Sequence, residues 1–447
     1  MASHFLELDF NARKLNVQRY WELSNIDTSY RNIGPEEETR NFYDLFEKSI
    51  RFHMRSDVPV GTCLSGGLDS SSIVCTAQKL LDKSDLQEKG LEGVKKLKTF
   101  SSAPQEQRIS ELPYIEETVR HSGVEPFYVT PTFEEFFNDF DKVVSLHDEP
   151  FQGPSVYMQY RVIKLAKENG IKVLLDGQGG DESLAGYQKY LLDYLFDLAR
   201  AHKYLKAVRE FISTTDLTRP YFTKYIRRRS GISKKAFQKV IKTNVPPDMP
   251  SEYPVNNLAE HLRYDLLAAS IIELLKYEDT NSRIFSIESR VPFLFHPLIE
   301  YLFSLPMSVK IRNGWTKYLL REAMKGTLPE KVRLRRSKLG FPAPEEEWAK
   351  QSIMEKMDWC TETVKAAGEY VELEGFQELC LRIMAKKRSE DIQLFWRIII
   401  FAKWLQLNAK TKEPAENSSN KTLSFGVEAT LERTFLTLST WPRMLTT

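Results

Sequence analysis

The sequence of 447 residues contains little cysteine, and its cysteines are not spaced for cross-linking or metal binding. The four of them form no CxxC pair and no zinc-site spacing, and the seven histidines include no HExxH motif. This excludes a disulfide framework and a zinc site of that kind. The pattern favours a reduced compartment in which the cysteines are small buried residues, namely Cys63, Cys75, Cys360 and Cys380.

Long apolar runs and a strong net charge are also missing. The longest apolar stretch near the C-terminus, residues 395–407, contains Arg397 and Lys403 and is too short to span a bilayer. The first ten residues lack the apolar segment of a signal peptide. The 63 basic and 61 acidic residues nearly cancel, and we interpret the basic runs 227–229 and 333–336 as solvated faces. We therefore expect a cytoplasmic protein that binds no membrane and no nucleic acid.

Short apolar runs alternate with helix-like segments in the first 190 residues. The predicted strands cover residues 58–64, 97–101, 126–129 and 171–175, and the predicted helices cover residues 35–55, 70–81, 112–121 and 155–169. Such alternation predicts an α/β fold with a parallel sheet, helices on both faces, and ligands at the carboxyl ends of the strands.

The rest of the chain has a different character. Beyond residue 190 the strand signal fades and helical periodicity dominates, which predicts a mostly helical lobe over residues 191–410. In the first 34 residues only Tyr20 and Trp21 look able to pack, and the tail 411–447 matches no periodic template. We therefore expect an N-terminal segment 1–34, an α/β domain 35–190, the helical lobe, and a tail of uncertain order.

A glycine loop follows the first predicted strand at once. It reads Ser65-Gly66-Gly67-Leu68-Asp69-Ser70-Ser71. Two glycines let the main chain approach a ligand, and a helix N-terminus with hydroxyls binds phosphate oxygens. A carboxylate in such a cradle indicates a cation between itself and the phosphates, which favours Mg²⁺. By itself the segment could also be a capped turn, and it lacks the Walker GxxxxGK[ST] pattern.

This loop resembles the SGG-x-DS[ST] signature of the PP-loop ATP pyrophosphatases. The resemblance implies a parallel-sheet domain that binds ATP and Mg²⁺, holds the β- and γ-phosphates in the loop, and joins AMP to the substrate while pyrophosphate leaves.

A second glycine loop ends the last predicted strand. It reads Asp176-Gly177-Gln178-Gly179-Gly180-Asp181-Glu182 and continues into Ala185-Gly186-Tyr187. It is not a dinucleotide fingerprint, because Glu182 occupies the third glycine position. Parallel strands end at the same edge of a sheet, so we expect Asp69 and Asp181 to share one metal ion.

The second loop is similar to the SGEGSDE-x-x-x-GY element of asparagine synthetases. Further segments resemble that family in the same order along the chain. They are Glu278-Asp279-Thr280-Asn281-Ser282, Ser286-Ile287-Glu288-Ser289-Arg290-Val291-Pro292-Phe293-Leu294, Asn313-Gly314-Trp315-Thr316-Lys317-Tyr318-Leu319-Leu320-Arg321-Glu322, and Ser337-Lys338-Leu339-Gly340-Phe341. The joint occurrence of these segments is more specific than any one of them, and together they correspond to the synthetase half of the family.

The resemblance implies that the β-carboxylate of aspartate attacks the α-phosphorus of ATP, after which ammonia displaces AMP from β-aspartyl-AMP. The residues implied for pyrophosphate and metal are Ser65, Gly66, Gly67, Asp69, Ser70 and Ser71, with Asp181 as the second metal ligand. Those implied for the nucleoside are Leu64, Ser102, Asp176 and Gly177. Lys338 and Lys317 would neutralise charge on the phosphates.

Three departures from the family pattern leave alternatives open. Residue 2 is Ala2 rather than the glutaminase cysteine, so ammonia or a separate glutaminase would supply nitrogen. Gln178 replaces a catalytic glutamate, and Phe295 stands where an aspartate is usual. A ring-closing ligase for β-lactams, macrolactams or lasso peptides fits Ala2 and Gln178 too. A silent partner subunit is disfavoured by Asp69, Asp181 and Lys338, and a tRNA-modifying enzyme by the 286–294 match.

Overall fold

The structure is a computed structural model that describes residues 3–23, 33–83, 89–103, 106, 110–215, 240–241, 257–336, 343–385 and 388–409. The strands are β1 His4–Asp9, β2 Lys14–Arg19, β3 Val60–Cys63, β4 Lys98–Ser102, β5 Glu125–Val129, β6 Val173–Leu175 and β7 Glu288–Arg290. The first nine helices are α1 Pro35–His53, α2 Leu68–Asp82, α3 Leu112–Ser122, α4 Phe133–Leu146, α5 Ser155–Glu168, α6 Gly180–Leu184, α7 Lys189–Arg200, α8 Tyr204–Ser213 and α9 Leu258–Leu267. The later helices are α10 Ser270–Ile284, α11 His296–Ser304, α12 Tyr318–Ala323, α13 Glu330–Arg333, α14 Glu345–Glu355, α15 Met357–Lys365, α16 Leu373–Ala385 and α17 Ser389–Ala409.

Five parallel strands form the central sheet in the order β5-β4-β3-β6-β7. Alternating side chains of these strands pack on opposite faces, as the pleat requires. Val173 and Leu175 join the cluster that contains Ile73 of α2, whereas Leu174 joins the cluster that contains Ile163 of α5. Helices therefore cover both faces, and the predicted α/β architecture with a parallel sheet is confirmed.

The sequence prediction missed one strand of this sheet. Strand β7 pairs with β6 in parallel, with Leu175 opposite Arg290. Its three residues are Glu288-Ser289-Arg290, which carry no apolar or β-branched side chain, so the expectation that strands fade after residue 190 was wrong at this point. Pairing with a buried neighbour decides the conformation here rather than intrinsic propensity.

The N-terminal segment also contains structure that the sequence prediction missed. Strands β1 and β2 form an antiparallel hairpin in which Leu6 lies opposite Val17 and Leu8 lies opposite Leu15. Beyond the hairpin, the Trp21 indole donates a hydrogen bond to Glu300 Oε1 at 2.6 Å. Of the predicted pair of anchors, Trp21 packs while Tyr20 is exposed.

The C-terminal region is helical, as predicted. Helices α14 to α17 enclose an aromatic core in which Phe136 of α4 stacks on Trp348, with ring centroids 4.8 Å apart. Trp396 and Trp404 of α17 are buried in the same core. Within the part of the chain that the structure describes, no helix combines the length and the apolar character needed to cross a membrane. The tail 411–447 lies outside the described residues.

Candidate active site

The two glycine loops meet at the carboxyl edge of the sheet. Strands β3 and β6 are neighbours and parallel, so the loops that follow them emerge side by side. A Cβ atom at Gly180 would lie 2.8 Å from the Asp69 side-chain carbon Cγ, and one at Gly177 would lie 3.2 Å from Asp69 Cβ. Glycine at both positions lets the second loop pack directly on Asp69. The predicted convergence of the two loops is therefore present.

A lysine from the helical region bridges the two loops. The Lys317 ammonium forms ion pairs with Asp69 Oδ2 and, at 2.8 Å, with Asp181 Oδ1. A Cβ at Gly186 would come within 2.1 Å of Lys317 Cε and 1.9 Å of Asp181 Oδ1, so this glycine leaves space for the cluster. Asp69, Asp181 and Lys317 thus lie together, although they are far apart in the sequence.

The backbone and electrostatics of Lys317 are unusual. Its φ of 51° lies in the left-handed region, directly before helix α12, which is uncommon for a residue with a side chain. Burial by itself would lower the pKa of Lys317, but the charges of Asp181 and Asp69 raise it above the ordinary value. The ammonium therefore stays charged. A strained backbone conformation of this kind often occurs at functional sites.

The hydroxyls of the first loop are organised around Ser70. Its Oγ accepts a hydrogen bond from the Ser65 main-chain N–H at 3.1 Å and lies 3.0 Å from Ser65 Oγ. Ser65 Oγ in turn accepts from the Gly67 N–H at 3.3 Å. Ser71 differs, because its fully buried hydroxyl contacts Thr118 of α3 at 3.1 Å. The structure therefore brings Ser65, Gly67 and Ser70 together and turns the Ser71 side chain away from them.

Asp176 lies at the floor of the second loop and is buried. Burial raises its pKa, while a hydrogen bond from the Cys63 thiol lowers it. Burial also raises the pKa of Glu278 well above its ordinary value, and the charge of Asp176 raises it further. The Ser289 hydroxyl donates to Glu278. The loop floor therefore contains two buried carboxyl groups with raised pKa values. Of the two, Glu278 was not among the predicted site residues.

The remaining predicted nucleoside contacts lie around the same edge. Leu64 is buried; its N–H donates to the Phe100 carbonyl, and its carbonyl accepts from Ser101 Oγ at 2.7 Å. Ser102 ends β4, and its buried Oγ has no hydrogen-bond partner among the described residues. Gln178 is partly buried. Lys338 falls in the range 337–342, which lies outside the described residues.

One of the basic runs proves to be part of this site. Arg335 is only 7% exposed, pairs with Glu111 at 2.6 Å and donates to the Gly66 carbonyl at 3.2 Å. Its guanidinium also lies 4.2 Å from the centre of the Tyr114 ring. The interpretation of 333–336 as a solvated face was therefore wrong, because a run of arginines does not reveal which member finds a buried carboxylate. The run 227–229 lies outside the described residues.

A tryptophan between two arginines continues the basic side of the site. The Trp315 ring lies 5.0 Å from the Arg321 guanidinium and 5.1 Å from that of Arg336. Arg336 also donates to the Gly314 carbonyl at 3.0 Å. These contacts hold the segment before Lys317 in place. They involve Gly314 and Trp315, two residues of the segment 313–322 that resembles the asparagine synthetase family.

Behind the loops, other motif residues hold elements together. Glu182 Oε1 accepts hydrogen bonds from the Tyr187 hydroxyl and the Ser270 hydroxyl, each at 2.8 Å. Asn281 donates to the Val156 carbonyl at 3.1 Å and to Gln159 Oε1 at 3.0 Å. In the Asp-Glu pair of the second loop, Asp181 therefore points toward Lys317 while Glu182 anchors the loop to its surroundings.

The carboxylate oxygens at this edge of the sheet fit a magnesium ion that binds together with phosphates. Among the described residues, no group of three or more His, Cys, Asp or Glu side chains is placed to hold a metal by itself. Asp69 and Asp181, however, already share one cation, the Lys317 ammonium. Mg²⁺ is typically held by one or two carboxylates plus phosphate oxygens. The two aspartates match that requirement.

Comparisons with known proteins point in the same direction. The family model described as asparagine synthase matches residues 41–406. The chain is 28% identical over 420 residues to asparagine synthetase (glutamine-hydrolyzing) 1 of Bacillus subtilis, covering 88% of this chain and 63% of the relative. It is 27% identical over 387 residues to a putative asparagine synthetase (glutamine-hydrolyzing) of Mycobacterium tuberculosis, covering 80% of this chain and 56% of the relative.

A third relative is putative asparagine synthetase (glutamine-hydrolyzing) 2 of Methanocaldococcus jannaschii, 30% identical over 272 residues, which covers 59% of this chain and 49% of the relative. The chain thus spans about half to two thirds of the length of these relatives. The family match itself covers most of the chain, from within α1 to the last turn of α17. The chain belongs to the asparagine synthase family.

Proposed function

We propose that this protein is an ATP-dependent ligase that adenylates a carboxylate and converts it to an amide, releasing AMP and pyrophosphate. The observation that carries the proposal is the meeting of Asp69, Asp181 and Lys317 where the two glycine loops end. A hydroxyl-rich loop at a helix N-terminus suits phosphate oxygens, and the paired carboxylates suit the metal that accompanies them. In this proposal the site lies between the ATP-binding domain 35–190 and the helical lobe 191–410.

Each site residue receives a specific role. Ser65, Gly66, Gly67 and Ser70 bind the β- and γ-phosphates through hydroxyls and main-chain N–H groups. Asp69 and Asp181 would hold Mg²⁺, which would supply positive charge that neutralises the departing pyrophosphate. Lys317 supplies positive charge near the reacting phosphate, and Lys338 is proposed to do the same. Ser71 would act through the helix N-terminus rather than its hydroxyl, which contacts Thr118.

Fixed charges are the main catalytic contribution in this scheme. The attack of a carboxylate on the α-phosphorus builds negative charge on the phosphates, and groups already oriented toward that charge stabilise the transition state without reorganisation. Lys317 and Arg335 are buried and held by ion pairs. Such preorganised charges act more strongly than exposed ones, because the local dielectric is low.

The substrates proposed first are aspartate and ammonia, through β-aspartyl-AMP. The relatives named above are called asparagine synthetases, and the chain matches that family over the segments that line the site. Their names also include glutamine hydrolysis, yet the chain spans only part of their length. Because all four cysteines of the chain are buried, we propose free ammonia, or ammonia delivered by a separate glutaminase, as the nitrogen source.

A ring-closing amide ligase is the second candidate, favoured by Gln178. This residue lies in the second loop beside Asp176, to which its main-chain N–H donates. An amide side chain cannot carry the negative charge that the family's usual glutamate would provide, so the acceptor carboxylate could belong to a different molecule. The same adenylation chemistry would then close a ring from an amine within the substrate.

Isotope exchange between pyrophosphate and ATP tests the proposal. The chain would be incubated with ATP, Mg²⁺ and labelled pyrophosphate, with aspartate or other carboxylates added one at a time. Exchange that depends on aspartate supports asparagine synthesis, and exchange with another carboxylate supports the ring-closing alternative. Absence of exchange with every carboxylate, from protein that binds MgATP, would contradict the proposed adenylation.

A further inference from the structure

Lys310 is a buried lysine that the proposed chemistry does not use. Its side chain has no exposed surface. The ammonium donates to the Ser183 carbonyl at 2.9 Å and to the Leu302 carbonyl at 2.6 Å, and it lies 5.0 Å from the centre of the Phe303 ring. Both carbonyls lie in the last turns of their helices, α6 and α11, where carbonyls lack helical partners and attract cations.

The burial of this lysine lowers the stability of the folded state. Among the described residues, no carboxylate forms an ion pair with Lys310, and burial lowers its pKa to about 7. A buried cation without a counter-charge costs several kcal/mol, and an apolar residue at such a position is often equally stable or more stable. Stability by itself therefore does not explain a lysine at this position.

Lys310 connects the two sides of the central ion pair. Through its side chain it holds Ser183, two residues beyond Asp181 in the short helix α6. Through its main-chain carbonyl it accepts a hydrogen bond at 2.9 Å from the N–H of Tyr318, the residue directly after Lys317. One residue thus contacts the elements that carry Asp181 and Lys317.

We propose that Lys310 is a positioning residue that sets the placement of Asp181 relative to Lys317, by tying helix α6 to the start of α12. Helix α6 has only five residues, so it cannot hold its own orientation without contacts to its surroundings. The Lys310 ammonium supplies such a contact at the carbonyl end of α6. This inference rests on the proposed role of Asp181 as a ligand of the metal that accompanies ATP.

The replacement that tests this is Lys310→Met, which removes both donated hydrogen bonds and keeps an unbranched apolar side chain. Binding of MgATP would be measured by calorimetry without carboxylate, and folding by thermal denaturation. We expect the variant to fold with a melting temperature equal to or above that of the wild type and to bind MgATP about tenfold more weakly, because small displacements of a site group cost this much or more.

The matched control is Lys403→Met. Lys403 is likewise buried and lies against an aromatic ring, 5.1 Å from the centre of Trp359, but it belongs to α17 and pairs with Asp141 at 3.1 Å. Its replacement should leave MgATP binding unchanged. If Lys310→Met does not fold, Lys310→Gln is used instead, because it keeps a hydrogen-bond donor at the tip of the side chain. It should lose less MgATP affinity than a folded variant without a donor, such as Lys310→Leu.

A double mutant separates positioning from general damage. In an Asp181→Asn background, Lys310→Met should change MgATP affinity less than about twofold, since both changes act through the same ligand. The inference would be overturned if Lys310→Met still weakened MgATP binding about tenfold in the Asp181→Asn background. It would also be overturned if Lys310→Met alone bound MgATP normally. Because binding is measured without carboxylate, a failure of pyrophosphate exchange in wild type that binds MgATP normally would count against the proposed function only.

Discussion

The Lys317 ammonium lies 2.8 Å from Asp181 Oδ1 and also pairs with Asp69, so one buried cation joins the loops that follow the neighbouring strands β3 and β6. All three side chains are largely buried, so the loss of any one member leaves a buried charge uncompensated and is costly. The site is therefore organised around a single shared positive charge.

The first prediction concerns the two aspartates. Asp69→Asn and Asp181→Asn should each reduce ATP cleavage by more than about a hundredfold, because each removes a charged ligand of the metal that binds with ATP. Asp141→Asn is the matched control, since Asp141 is more than half exposed and pairs with Lys403 instead. Pyrophosphate release at a near-normal rate from either soluble site variant would refute the metal assignment.

The second prediction concerns Lys317 and magnesium. Lys317→Met leaves two carboxylates facing each other, so the variant should lose about 3–5 kcal/mol of unfolding free energy. Millimolar Mg²⁺ should restore part of this loss by binding between the carboxylates of the folded state. Thermal denaturation with and without Mg²⁺ measures both effects.

The control for that experiment is Lys189→Met, which breaks another buried ion pair, the one between Lys189 and Asp265 at 2.7 Å. It should be destabilised without any recovery in Mg²⁺. Equal responses of the two variants to Mg²⁺ would argue against cation binding at Asp69 and Asp181.

The third prediction concerns nitrogen. The glutaminase nucleophile that the family resemblance implies is a cysteine thiolate, but all four cysteines of this chain are buried and burial raises their thiol pKa values, to about 12 for Cys75, Cys360 and Cys380. The purified chain should therefore use ammonium and ignore glutamine. Amide formation with glutamine at a rate close to that with ammonium would show that this reasoning is wrong.

The fourth prediction separates the two candidate reactions. If aspartate is the substrate, Gln178→Glu should preserve or increase aspartate-dependent pyrophosphate exchange, because it restores the charged group usual in the family. Lys338→Ala should instead reduce exchange with every carboxylate, because it removes charge that faces the phosphates. If the wild type shows no aspartate-dependent exchange and Gln178→Glu does not create it, asparagine synthesis is excluded.

The fifth prediction concerns pH. The folded state releases the Lys310 proton near pH 7, whereas an unfolded lysine keeps its proton to about pH 10. The unfolded state therefore binds more protons between these values, and stability must rise with pH in this window. Relative to Lys310→Met, the wild type should gain about 2 kcal/mol of unfolding free energy from pH 7 to pH 9. Denaturant titrations measure this. If the difference in unfolding free energy between wild type and Lys310→Met is the same at pH 7 and pH 9, the prediction is contradicted.

Much of the α/β core could be predicted from the sequence, because buried strands and amphipathic helices have clear periodicity. Helix α1 begins at Pro35 as predicted, and the glycine loops follow β3 and β6. Strand β7 could not be predicted, since Glu288-Ser289-Arg290 becomes a strand only through its pairing with β6. The hairpin β1–β2 was missed as well.

In the site, the residues that a motif displays were easier to predict than those that depend on packing. The meeting of Asp69 and Asp181 followed from strand topology. Two other contacts could not be predicted in this way. They are the ion pair of Arg335 with Glu111 and the hydrogen bond of Lys310 to the Ser183 carbonyl of α6, and each depends on a partner distant in sequence. The predicted positions of Lys338 and of the tail stay predictions.

The identity of the phosphorus products tests the central claim most directly. Phosphorus NMR of a reaction with ATP, Mg²⁺, ammonium and a panel of carboxylates that includes aspartate would distinguish cleavage at the α-phosphorus from cleavage at the γ-phosphorus. We predict AMP and pyrophosphate in equal amounts, formed only when an accepted carboxylate is present. Formation of ADP and phosphate, or cleavage that no carboxylate stimulates, would contradict the account.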